Sequence, residues 1–404
     1  MNAVVASEGL AEGSPQEAGL STDGLARVDQ ALADLIAAGE LAGASLLVAR
    51  HGKVVHRALL GLKDIESGEP LARDTIFRIY SMTKPVTAAA MMLLWDQGLW
   101  SPNDPIARHL PEFADVKGPG GVAPAHAPTM RELMSHTAGL AYGFDANDPT
   151  DAAYLAAGVW QAQDLADMMR RLASAPLAYE PGTRWRYSIS MDVQGAIIER
   201  LSGQSLPDFM RERIFRPLGM ADTDFFVPTP KLARLATLYR RSKARGLVVT
   251  ELPLFGRDAG RIQKIASGGG GLYSTIDDYA RFAQMLLGEG ELGGVRVLTP
   301  EAVATMTANH ITEEIMAGGF GVGHQPIRPG FGYGFNGAVF TDPPLADSKV
   351  GRGTYQWDGA AGTWFWVDPE NDLLFVGMIQ RLDERSPPCQ RVTQALVAEA
   401  FGVA

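Results

Sequence analysis

The chain has 404 residues, 46% hydrophobic and 20% charged, a globular composition with length enough for two structural regions. Asp and Glu number 46 against 36 Lys and Arg, and the net charge of −10 repels phosphate backbones, which argues against a nucleic-acid partner. No stretch reaches the ~18 apolar residues of a membrane span, and Cys389, the single cysteine, can form no internal disulfide, which suits a reducing cytoplasm.

Residues 1–20 read as a loose leader, and the first eight lack the basic and apolar regions of a secretory signal. Ser21, Thr22 and Asp23 carry helix-start chemistry, and Leu25, Val28, Leu32, Leu35 and Ile36 follow at helical spacing. Residues 44–50 read as a strand, His51 and Gly52 as a turn, and 53–59 as the returning strand of a hairpin. The apolar run around Ile76, Phe77 and Ile79 ends a strand, and Ser81 follows at once. Pro85 and the apolar segment 88–95 then predict a helix, with proline in its first turn and Gly98 at its stop. Between about 100 and 180, helices alternate with loops rich in proline and glycine, of which 117–121 is the plainest. Leu165, Met168, Met169 and Leu172 form one helical stripe; 191–201 and 277–287 read as further helices. The last quarter turns to strands at 354–357, 363–367 and 373–379, with a turn at 368–372. A final helix carries Val392, Leu396, Val397 and Phe401, with Cys389 in a structural place at its start. Strands at both ends and helices between predict an α/β (α+β) fold. Its antiparallel sheet is built from both chain ends in a discontinuous domain, 1–90 and 180–404, with a mainly helical region inserted at 91–179.

A hydroxyl and an amine meet at the start of the helix after Ser81. Lys84 lies one helical turn on, on the same face, and backbone N–H groups at a helix N-terminus favour developing negative charge. That is the pattern of a nucleophile beside its proton acceptor. Alone, Ser-x-x-Lys also describes a capped helix with a surface lysine. Two later elements add weight: Tyr187-Ser188-Ile189-Ser190, preceded by Pro181-Gly182-Thr183-Arg184-Trp185, and Trp357-Asp358-Gly359 with Ala360 next. With Thr129 to Leu140 and Gly269 to Thr275, the ordered set resembles the serine β-lactamase and penicillin-binding-protein superfamily from about residue 17 onward.

Departures from the family pattern narrow the resemblance. Class C β-lactamases carry Tyr-x-Asn where Ile189 stands here, and Lys-Thr-Gly where Trp357-Asp358-Gly359 stands. Their lysine helps bind the substrate carboxylate; Trp357 cannot, and Asp358 repels an anion. The set is similar to family VIII carboxylesterases, which pair Ser-x-x-Lys with Tyr and a Trp-x-Gly turn. Their common form is Trp-Gly-Gly, so Asp358 departs there too.

The resemblance implies acyl transfer from a small ester. Ser81 attacks the carbonyl, Lys84 and Tyr187 move protons, and the N–H groups of Ser81 and Ala360 form the oxyanion hole. Trp357, Asp358, Gly359 and Ile189 are the expected substrate-binding residues. A lysine titrates near ~10.4, so a neutral Lys84 at pH 7 needs a shift of roughly 3 units, about 4 kcal/mol, which burial can supply. The alternative, a charged Lys84 that makes Tyr187 a phenolate base, stays open. The expected function is hydrolysis of short-chain carboxylic esters. A β-lactamase or D-alanyl peptidase, an acyltransferase on the same fold, and a non-catalytic scaffold are the alternatives.

Other motifs carry less. His136 resembles a base, yet the family uses its segment as scaffold. Gly332 to Gly337 matches G-x-G-x-x-G, but the residues after it read as strand, against dinucleotide binding. No G-x-S-x-G occurs, against an α/β-hydrolase. No H-E-x-x-H occurs and the 7 histidines are scattered, so neither metal nor cofactor is expected.

Overall fold

A computed structural model describes residues 10–252, 258–261, 263–318, 320–322, 325–327, 329–383 and 387–401. The first helix, α1 (Thr22–Ala37), starts where Ser21 accepts the Gly24 N–H and buries Leu25, Val28 and Leu32. Strands β1 (Gly43–Arg50) and β2 (Lys53–Asp64) pair antiparallel. The turn between them places His51 at φ 51° and Gly52 at φ 73°. Two positive φ values give the twist that joins antiparallel strands in two residues.

Helix α2 (Thr83–Asp96) is buried on nearly every side. Helices α3 (Leu165–Ala173), α4 (Ser190–Ser202) and α5 (Ile276–Leu287) follow. The last quarter supplies β3 (Phe331–Tyr333), β4 (Ala338–Phe340), β5 (Tyr355–Asp358), β6 (Trp364–Asp368) and β7 (Leu373–Met378), then helix α6 (Cys389–Ala400). Cys389 is buried, and burial pushes its thiol up to about 11.

Among the described residues the main sheet has 9 strands in the order Ala11–Glu12, β2, β1, β7, β6, β5, β4, β3, with Glu69–Pro70 added on β2. Its neighbours are antiparallel except Ala11–Glu12, which runs parallel to β2. The joint between the two ends of the chain lies at its centre, where Ser45–Arg50 of β1 pair with Leu373–Met378 of β7. Side chains alternate across it. Leu46, Val48, Trp364, Trp366 and Phe375 face α1 and α6. Leu47, Ala49, Phe365, Leu374 and Val376 join the larger core containing α2, α4 and α5. Both faces are covered, which is why β7 is apolar throughout and β1 nearly so, rather than alternating. Trp366 and Phe375, cross-strand partners, stack at 4.2 Å.

Three boundaries differ from the expectation. Residues 1–9 lie outside the described residues, but the rest of the expected leader is structured: Ala11–Glu12 join the sheet and Leu20 is buried against Phe401. Strand β2 runs past residue 59 to Asp64, because Glu69–Pro70 pair with its far end. The strand before Ser81 is only Phe77–Arg78, and it pairs with Tyr273–Ser274 outside the main sheet. Among the described residues no helix is long and apolar enough to cross a membrane.

Candidate active site

Ser81 occupies a single 3₁₀ turn, Tyr80–Met82, that runs directly into α2. Tyr80 holds φ 40°, a conformation a bulky residue adopts only when its surroundings force it. The start of α2 is tied down from three sides. Thr83 Oγ1 accepts the Leu272 N–H at 3.1 Å, Thr87 Oγ1 donates to Gly268 O at 2.7 Å, and Tyr279 Oη donates to Met82 O at 2.9 Å. From the β3–β4 hairpin, Asn336 Nδ2 donates to Lys84 O at 3.0 Å, and its side-chain amide exchanges two hydrogen bonds with that of Gln194 of α4. The Gly332 to Gly337 segment thus turns a hairpin and buttresses α2. The tetraglycine at 268–271 allows close approach: a Cβ on Gly268 would lie 2.4 Å from Met191 O.

Three of the expected residues meet. Ser81 Oγ lies 2.6 Å from Tyr187 Oη and accepts from Lys84 Nζ at 3.0 Å. Lys84 Nζ also donates to Gly269 O at 2.6 Å and sits 4.6 Å from the Tyr187 ring centre. Lys84 is fully buried. Burial pushes its ammonium down, to about 7, against the opposing fields of Asp192 and Asp358. Burial pushes the Tyr187 phenol above its ordinary range, while its hydrogen bond with Ser81 pulls the other way.

Tyr187 is positioned by the residues around it. Ser188 Oγ pairs with His136 Nδ1 at 2.8 Å and with Ser190 Oγ at 2.7 Å. His136 Nδ1 also accepts the Ser188 N–H at 3.2 Å, so the ring proton belongs on Nε2, and burial holds the ring neutral. The His136 ring packs 5.0 Å from that of Tyr187. Its geometry is that of a buttress. Ile189 is fully buried in the larger core and leaves no side-chain surface to the cleft.

The third element closes against Ser81. A Cβ on Gly359 would lie 2.3 Å from Ile79 O and 2.4 Å from Thr363 Oγ1, so only glycine lets the turn after β5 approach the Ser81 segment this closely. Thr363 Oγ1 donates to Ile79 O at 3.2 Å across the same seam. Gly359 N–H is used within the turn, on Thr363 O. The N–H groups of Ser81 and Ala360 find no acceptor among the described residues, as an anion-binding pair requires. Trp357 is buried, its ring 6.1 Å from that of Tyr187. Its indole N–H lies near enough to favour Tyr187's charged form but too far for a formed hydrogen bond. Asp358 is solvent-accessible yet has protein mass around it, and loss of hydration pushes its carboxyl up to about 6, opposed by Lys84.

Two residues enter the site unannounced by the sequence. A Cβ placed on Gly269 would lie 3.1 Å from Asp192 Oδ2, 3.1 Å from Tyr142 Oη and 3.6 Å from Lys84 Nζ, so these polar atoms converge on one point. Asp192 is fully buried; Ser267 and the Gly269 N–H lie close, but neither completes a hydrogen bond to it. Burial pushes its carboxyl up. In sequence it is an ordinary acid in the first turn of a helix. Tyr142 stacks on Tyr187 at 5.4 Å and under Phe144 at 4.1 Å, extending an aromatic row that ends at Trp357. Asp151 holds its loop by accepting the Tyr142 and Gly143 N–H groups, and is itself paired with Arg186. Among the described residues no group of His, Cys, Asp and Glu could hold a metal ion.

The family model described as Beta-lactamase matches residues 28–399. Protein Rv1367c of Mycobacterium tuberculosis is 39% identical over 360 residues, covering 86% of this chain and 88% of that protein. Esterase EstB of Burkholderia gladioli is 32% identical, over 85% of this chain and 87% of its own length. Among solved structures, EstCE1, described as a hydrolase with promiscuous acyltransferase activity, superposes with a TM-score of 0.78 at 30% identity, covering 94% of this chain and 99% of that one.

Proposed function

This chain belongs to the beta-lactamase family, and from that premise we propose that it is a carboxylesterase acting on short-chain esters through an acyl-enzyme on Ser81. The observation that carries the proposal is the three-way contact of Ser81 Oγ, Lys84 Nζ and Tyr187 Oη. Ser81 Oγ attacks the ester carbonyl carbon and its proton passes to Lys84. The Ser81 and Ala360 N–H groups take the negative charge on the carbonyl oxygen. The ester C–O bond breaks, the alcohol leaves with a proton from Tyr187, and Tyr187 regains one from Lys84. Water then repeats the sequence on the acyl-enzyme and releases the acid.

The electrostatics support Lys84 rather than Tyr187 as the group that takes the serine proton. Burial favours the neutral form of both, which leaves an amine able to accept a proton and a phenol unable to. The likeness to esterase EstB supports ester substrates, as does Trp357 in the place of a carboxylate-binding lysine.

Turnover of p-nitrophenyl esters of increasing acyl length, run beside a cephalosporin, tests the proposal. Short esters are expected to be turned over fastest; clearly faster cephalosporin turnover overturns the reading. Tyr187→Phe is expected to lower kcat by about 10²- to 10⁴-fold, the usual worth of a positioned proton carrier. Asp192→Asn removes a charge that favours protonated Lys84. The acid limb of the kcat/KM profile, set near 7 by Lys84 gaining a proton, is therefore expected to move to lower pH; an unmoved limb removes Lys84 as the base. A second reading, acyl transfer to an alcohol, is supported by the activity described for EstCE1. Quantifying ester product with added alcohol acceptor separates the two.

A further inference from the structure

The Asp358 carboxylate has no hydrogen bond or ion pair among the described residues, although the residue is solvent-accessible and stands one position before the Gly359 turn that packs on the Ser81 segment. The other acids around the cleft are engaged or hidden. Asp148 and Asp151 pair with Arg186, and Asp192 is fully buried. Asp358 is thus the negative charge that an entering molecule meets.

Its place in the chain makes an unneutralised charge costly. Ala360, whose free N–H is a candidate oxyanion donor, stands two residues on, so a bare carboxylate opposes the negative charge that builds on the carbonyl oxygen. The nearby positive group, Lys84, is buried and committed to Ser81 and Gly269. A counter-charge must therefore come from the substrate. The turn that carries Asp358 is held against the nucleophile segment: a Cβ on Gly359, the next residue, would lie 2.3 Å from Ile79 O.

We infer that Asp358 selects esters whose alcohol carries a positive charge, an amino or quaternary ammonium alcohol, with the cation docked on its carboxylate. The alcohol side is assigned because Asp358 lies within the electrostatic reach of Tyr187, the group that hands a proton to the leaving alcohol. Cancelling the Asp358 charge also removes one of the two fields that keep a proton on Lys84, so the bound cation favours the base form as well.

This inference rests on the esterase reading, and the test separates the two. Acetylthiocholine is compared with 3,3-dimethylbutyl thioacetate, its uncharged isostere, with p-nitrophenyl acetate as a general ester. In the wild-type protein kcat/KM is expected to favour the cationic ester by about tenfold or more, and in Asp358→Asn that ratio is expected to fall toward one. A wild-type ratio near one, with p-nitrophenyl acetate turned over, overturns the inference and leaves the esterase reading standing. A ratio that survives in Asp358→Asn overturns the role of Asp358. Failure to turn over any of the three esters overturns both. The wild-type ratio needs no variant, so a misfolded Asp358→Asn does not shelter the inference.

Discussion

Replacing Ser81 with alanine is expected to reduce kcat for a short-chain ester by about 10⁴- to 10⁶-fold, the loss seen when a nucleophile that works as a unit with its base is removed. The size follows from the site. Lys84 and Tyr187 both spend a bond on Ser81 Oγ, and without that oxygen they have no acyl group to serve. What remains is the free N–H of Ala360 and that of residue 81, which can polarise a carbonyl but cannot form an acyl-enzyme. Stability is expected to change little. The Lys84 amine keeps Gly269 O as an acceptor, and the lost atoms are one hydroxyl. The fall in kcat is to be read beside a thermal melt and a fluorophosphonate label: the wild-type protein takes an adduct on Ser81 by mass spectrometry and the variant does not. Undiminished turnover in the variant would place the chemistry elsewhere.

The second large effect is expected from adding one carbon. Gly359→Ala places a Cβ against Ile79 O and Thr363 Oγ1 at distances no native contact tolerates. The turn after β5 must then move away from the Ser81 segment, at a cost of about 1–3 kcal/mol. Because the neighbouring Ala360 N–H moves with it, kcat is expected to fall by about 10²- to 10³-fold, the worth of one oxyanion donor. The pairing of effects is the diagnostic. A denaturant melt shifted by that amount with kcat intact would show that Ala360 is not a donor.

What could be read from the chain beforehand follows physical lines. Helical geometry alone put Ser81 and Lys84 on one face, since three residues make most of a turn. The buried strands β1, β6 and β7 announced themselves as apolar runs bounded by turns. Tyr187 was different: nothing local brings it to Ser81, 106 residues away, and only the ordered motifs suggested the meeting. Asp192 and Tyr142 were illegible because a first-turn acid and a loop aromatic are ordinary in sequence; their convergence on Gly269 exists only in three dimensions. Asn336 lay inside a glycine pattern set aside as a poor nucleotide site, and its task, bracing the carbonyl of Lys84, leaves no mark on spacing. Ile189 shows the reverse failure, since its motif position suggested a substrate contact and its apolar side chain went to the core.

The joint at the middle of the sheet has a consequence for how the protein is made. Strand β1 leaves the ribosome long before its partner β7, since Arg50 bonds Asn371 across 321 positions. Until β7 is made, β1 and β2 are an oily hairpin with one raw edge, open to other nascent chains. Closure must wait for β7, so folding is slow by topology, and yield in a host cell should depend on chaperones that mask that edge until β7 arrives.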